Sequence, residues 1–101
     1  MSERVVRHVR VRGRVQAVGF RAFVEDAAAL NGVDGWVRNR RDGSVEAVFA
    51  GDPEAVRAVI DACCHGPPGA GVEALEESEG GPELLAQGYP GEHFSVLRTE
   101  D

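Results

Sequence analysis

Hydrophobic and polar residues alternate at the start of the chain. Val5, Arg7, Val9 and Val11 fall on one side of residues 5–12, with Val6, His8, Arg10 and Arg12 on the other. A period of two in β-branched residues predicts a strand, with Val9 and Val11 as its core positions. Residues 13–19 read as a turn of small residues. From residue 20 the apolar spacing becomes helical, with Phe20, Phe23, Val24, Ala27 and Leu30 recurring over 20–31. Asn31-Gly32 is a helix stop, because Gly accepts the left-handed conformation common there. Residues 33–39 and 44–50 predict two strands joined through Asp42-Gly43, a hairpin turn pair. Val45, Ala47 and Phe49 share one face of the second strand. Asp52 is an N-cap and Pro53 suits the first helical position. Val56, Val59, Ile60 and Cys63 then mark a helix that Gly66-Pro67-Pro68-Gly69 ends. A strand over 71–76, an exposed loop over 77–91 rich in Gly, Pro and Glu, and a last strand over 93–98 complete the reading. The order β-α-β-β-α-β, with a fifth strand at the C-terminus, predicts an α+β, ferredoxin-like split βαβ sandwich. In it, one antiparallel sheet carries two helices on one face. No repeat or boundary divides residues 1–101, which read as a single domain.

Composition narrows the function classes. A chain of 101 residues, 43% of them apolar, suits one folded core rather than general disorder. No run is long or apolar enough to cross a bilayer, and the N-terminus lacks a signal-type apolar stretch. A cytoplasmic monomer that binds no membrane is expected. Cys63 and Cys64 are adjacent, which suits neither a disulfide nor a metal site. His8, His65 and His93 show no ligand spacing, so no metal is expected. The net charge of −6 is unevenly spread. Residues 1–41 hold nine arginines against four acidic residues, and residues 42–101 hold two against thirteen. The acidic total argues against nucleic acid as a partner, and the basic half contains the candidate chemistry.

That chemistry lies in residues 11–21, Val-Arg-Gly-Arg-Val-Gln-Ala-Val-Gly-Phe-Arg, which run from the first strand through the turn into the first helix. A helix start exposes backbone N–H groups with no partner inside the helix, and its dipole favours an anion. Arg21 adds a planar fork of donors suited to phosphate. Gly13 and Gly19 serve the backbone turn. The segment reads as a phosphate cradle.

Residues 11–21 resemble the first acylphosphatase signature, an aliphatic residue, x, Gly, x, Val, Gln, then a small turn ending Val-x-Phe-Arg. Residues 35–45, Gly-Trp-Val-Arg-Asn-Arg-Arg-Asp-Gly-Ser-Val, resemble the second, which continues to Gly51. Two long motifs in this order form a specific signal. The resemblance implies a hydrolase that splits acyl phosphates into a carboxylate and inorganic phosphate without metal or cofactor. It implies that the loop formed by Gln16, Ala17, Val18, Gly19 and Phe20, with Arg21, holds the phosphoryl group. It also implies that Asn39 positions the attacking water.

Elementary chemistry agrees with these implications. Phosphoryl transfer is catalysed mainly by positioning and charge stabilisation, which backbone donors and an arginine supply. The departing carboxylate has a conjugate acid of pKa about 4 and needs no general acid at neutral pH. The motifs offer no evident protein base, since Asp42 sits in the hairpin turn and Glu46 points away from the apolar face of its strand. The proton is therefore expected to pass to the phosphate itself. Asn39 orients a water without acting as a base. Trp36 is expected to pack, and Arg38, Arg40 and Arg41 to be solvated charges that raise the local potential. The family has Gly where this chain has Ala17. A left-handed Ala there costs roughly 1–2 kcal/mol, so Ala17→Gly is expected to tighten phosphate binding. Two other readings compete. A non-catalytic phosphate- or acyl-phosphate-binding or regulatory domain of the same fold is disfavoured by the intact Arg21 and Asn39. An RNA-binding sheet would need stacking aromatics on a central strand, where residues 44–50 offer only Phe49.

Overall fold

A computed structural model describes residues 3–99. Eight elements follow one another: β1 (Val5–Arg14), α1 (Phe20–Asn31), β2 (Asp34–Asn39), β3 (Val45–Gly51), α2 (Pro53–His65), β4 (Gly71–Glu79), α3 (Pro82–Leu85) and β5 (Phe94–Val96). The strands form one sheet in the order β4-β1-β3-β2-β5. Four of them pair antiparallel, as the hairpin and crossover pattern predicts. β5 instead runs parallel to β2, so the five-stranded sheet is mixed. The fold is the expected α+β arrangement, with a third, single-turn helix in addition.

The core lies between the sheet and the pair α1 and α2. Val9, Val11, Val37, Val45, Ala47 and Phe49 from the strands meet Phe20, Val24, Ala28, Val56, Val59 and Ile60 from the helices, all buried. α2 keeps its predicted face, and Asp52 accepts from the Glu54 N–H at 3.1 Å as its N-cap. On α1 the buried stripe is Phe20, Val24, Ala27 and Ala28. Leu30 falls at the margin of that stripe in the last turn, and it is 87% exposed rather than core.

The far face of the sheet also carries structure. β3 is buried along its whole length, so both of its faces are covered. Trp36, Val48 and Leu97 form a second apolar cluster there, closed by Leu84 and Leu85 of α3. The Trp36 indole donates to the Leu84 carbonyl at 2.7 Å. Residues 77–91 are therefore not simply an exposed loop. Their Gly, Pro and Glu content hides two leucines, and a buried indole requires both cover and an acceptor. β4 also extends three residues further than expected, to Glu79. Its acidic residues pair with the basic first strand, Arg7 to Glu77 at 2.8 Å and Arg12 to Glu76 at 3.2 Å. No helix among the described residues is long and apolar enough to cross a membrane.

Candidate active site

β1 and β2 run in the same direction on either side of β3, and β5 runs with β2. The C-terminal ends of these three strands therefore share one edge of the sheet, beside the start of α1. β1 reaches that edge through an irregularity between Arg12 and Gly13. Gly13 has φ +124, and a methyl group there would run into the Gly71 carbonyl oxygen, so the bulge requires glycine. Val15, buried, closes the core end of the connection.

A pocket of about 230 Å³ opens at this edge, lined by Val15, Ala17, Gly19, Phe20, Arg21, Asn39 and Val96. Five of the residues expected in the site (Ala17, Gly19, Phe20, Arg21 and Asn39) thus meet in one place, although Arg21 and Asn39 are 18 positions apart in the chain. Val15 and Val96 line it as well. Val96 belongs to the short parallel strand, whose position no local pattern announces. Gln16 and Val18 of the expected loop do not line the pocket. Val18 packs on the main core, and the Gln16 side chain turns to the β2–β3 connection.

Gly19, at φ +80, is the N-cap of α1, and no side chain caps its N–H groups. No acidic residue occupies the first turn. α2, by contrast, has Asp52 on its N-terminus. The first N–H groups of α1 are thus left without the side-chain partner that a helix start usually has, and they lie beside the pocket. Ala17 has φ +61 and is the only non-glycine residue at positive φ among those described. The left-handed geometry that its substitution for Gly raised is therefore present.

The arginines divide sharply. Arg38 donates to Glu46 at 2.8 Å and Arg40 to the same oxygen at 3.2 Å. Arg38 also lies over the Trp36 ring, 4.6 Å from its centroid. Arg10 and Arg12 reach Asp42 at 3.5 and 3.4 Å. Arg38 and Arg40 are thus ion-paired structural groups rather than solvated charges. Arg21 is half-buried in the pocket and has no hydrogen-bond or ion-pair partner among the described residues, and the same holds for the Asn39 side chain. Arg21 and Asn39, the two groups suited to an external ligand, are thus uncommitted among the described residues.

Glu46 is the hub of the far-face network. Its carboxylate also accepts from His8 Nε2 at 2.6 Å, a partnership not evident from sequence because His8 and Glu46 are 38 positions apart. Burial pushes the Glu46 carboxyl up, but His8 and the arginines outweigh it and leave the group below the ordinary range. Asp42 is held down to about 2, first by the Ser44 hydroxyl and then by the Ser44 backbone N–H. Both carboxylates are therefore engaged ions, and neither lines the pocket. A larger hollow of about 710 Å³ lies between α1 and the start of β5. Glu25, Asp34 and Glu92 on its wall make it unsuited to a phosphate.

A family model described as Acylphosphatase matches residues 7–88. A protein named acylphosphatase from Rhodopseudomonas palustris (strain BisB18) is 55% identical over 95 residues, covering 94% of this chain and 96% of that protein. Another of the same name, from Synechococcus sp. (strain JA-2-3B'a(2-13)), is 58% identical over 84% of this chain and 90% of that protein. The crystal structure of acylphosphatase from Bacillus subtilis superposes with a TM-score of 0.78 at 34% identity, covering 92% of this chain and 98% of that one. Both signatures lie within the matched span, and residues of both line the pocket at the sheet edge described above. The chain belongs to the acylphosphatase family.

Proposed function

We propose that this chain is an acylphosphatase in which the residue 16–20 backbone and Arg21 hold the phosphoryl group and Asn39 places the water. The observation that carries the assignment of roles is the pair of uncommitted side chains, Arg21 and Asn39, in one pocket at the uncapped start of α1. The Arg21 guanidinium and the backbone N–H groups bear on the equatorial oxygens, where charge is spread in the transition state. Asn39 orients water through its amide, with no change of protonation. The water oxygen bonds to phosphorus as the phosphorus–acyl oxygen bond breaks. The carboxylate leaves with the electron pair, and the water's proton passes to a phosphate oxygen. A carboxylate leaving group needs neither a general acid nor a metal to stabilise it, and we propose that the reaction uses no metal or cofactor. The substrate is a small acyl phosphate; the protein works as a monomer in the cytoplasm and engages neither nucleic acid nor a membrane.

The test is hydrolysis of acetyl phosphate with and without a chelator. Turnover in both conditions is expected. Turnover abolished by the chelator overturns the metal-free mechanism. Binding of inorganic phosphate with no turnover favours a phosphate-binding domain instead.

A further inference from the structure

Gln16 sits inside the phosphate-binding loop, yet its side chain leaves the pocket. Its amide Nε2 donates to the Arg40 carbonyl at 2.7 Å and to the Ser44 carbonyl at 2.9 Å. An amide NH₂ has two protons, and both are engaged. The two acceptors form the mouth of the turn that joins β2 to β3. Each already takes a backbone bond, Arg40 N–H to Ser44 and Gly43 N–H to Arg40, so Gln16 takes a second lone pair on each oxygen. Arg40 directly follows Asn39. The side chain thus ties the loop that precedes Arg21 to the strand end that presents Asn39, across 24 and 28 positions of chain.

We propose that Gln16 is a positioning residue, whose amide fixes Asn39, and the water it orients, against the phosphoryl group held by the loop and Arg21. This inference rests on the roles assigned to Arg21 and Asn39 above. The physical requirement is geometric. The cradle and the water-placing amide come from different elements, and in-line attack tolerates little relative displacement. The two Gln16 hydrogen bonds fix a direction between them, because each is directional at both ends.

Two variants separate this role from substrate contact and from simple support of the fold. Gln16→Glu replaces two donors with acceptors facing carbonyl oxygens, whereas Gln16→Met removes the donors at similar size. Both are to be assayed for kcat and KM with acetyl phosphate and for inhibition by inorganic phosphate, which reports the cradle alone. Thermal melting confirms that the assayed protein is folded. kcat is expected to fall about tenfold or more, the size of a typical coupling between neighbouring residues. The inhibition constant for phosphate is expected to stay within about twofold. In an Asn39→Ala background, Gln16→Met should lower kcat little further, because the group it positions is gone. A parallel loss of phosphate affinity, full additivity with Asn39→Ala, or unchanged kcat in both variants overturns the inference. Asn39→Ala alone tests the underlying reading. If it leaves kcat intact, the role assigned to Asn39 fails, whatever the Gln16 variants do.

Discussion

Arg21 has the right residue type and, more tellingly, no competing partner among the described residues. Arg38 and Arg40, close by in the second motif, hold Glu46, while Arg21 faces the pocket with its donors unspent. Arg21→Lys keeps the charge and loses the planar fork. Activity on acetyl phosphate is expected to fall about 100-fold or more, as when one donor to a developing oxyanion is lost; near-normal kcat/KM would refute the role. Ala17 is the other residue-scale case. Its φ of +61 places a Cβ where glycine is favoured, at a cost of roughly 1–2 kcal/mol. Ala17→Gly relieves that strain but loosens the unfolded chain, which costs about 0.4–1 kcal/mol. A net rise in unfolding free energy is expected, measured by denaturant titration, together with tighter inhibition by inorganic phosphate. Equal phosphate affinity in the two proteins would count against strain in the cradle.

The two elements that matter most are a helix start without a side-chain cap and a turn that has several partners. α1 leaves its first N–H groups without a cap, whereas α2 is capped by Asp52. The difference was legible from sequence, because Asp52-Pro53 signals a cap and Gly19-Phe20 does not. The β2–β3 turn is held by Asp42, which accepts from both the hydroxyl and the N–H of Ser44 and faces Arg10 and Arg12. These contacts lower its pKa from 3.8 to about 2. A carboxyl depressed on folding contributes stability above its unfolded pKa and loses it as pH falls through the folded one. The stability supplied by Asp42 should therefore fade between about pH 4 and pH 2. In Asp42→Asn that part of the acid dependence should be absent. Urea midpoints measured from pH 5 down to pH 2 would show a shallower slope for the variant, and identical slopes would rule the contribution out.

Across the whole molecule, the uneven charge of the two halves resolves into pairing. The basic strand β1 lies between the acidic edge strand β4 and Glu46 of β3. A polar run such as residues 76–79 becomes a strand because its neighbour supplies the opposite charge. Glu46 joins His8 of β1 to Arg38 and Arg40 at the end of β2 while almost wholly buried. Removing one member of a buried ionic cluster strands the rest. Glu46→Ala is therefore expected to destabilise the fold by about 3 kcal/mol. The lost stability should appear as a lower denaturation midpoint at an unchanged m value. A shift below about 1 kcal/mol would show that the cluster is solvated in practice.

Local signals, a side-chain period, a cap and a turn pair, determined α1, α2 with its capped start, the first three strands and most of the core. The motif residues also carried the chemistry of the proposed site, since Arg21 and Asn39 have the groups that phosphate and water require. Tertiary structure decided what depends on distant partners. It set β5 parallel beside β2, folded residues 82–85 over the Trp36 indole, exposed Leu30 at the margin of its helix, and paired Arg38 and Arg40 with Glu46. It also turned Gln16 from the pocket toward the hairpin. Contacts between side chains on different elements leave no trace in local spacing, so these outcomes required the fold itself.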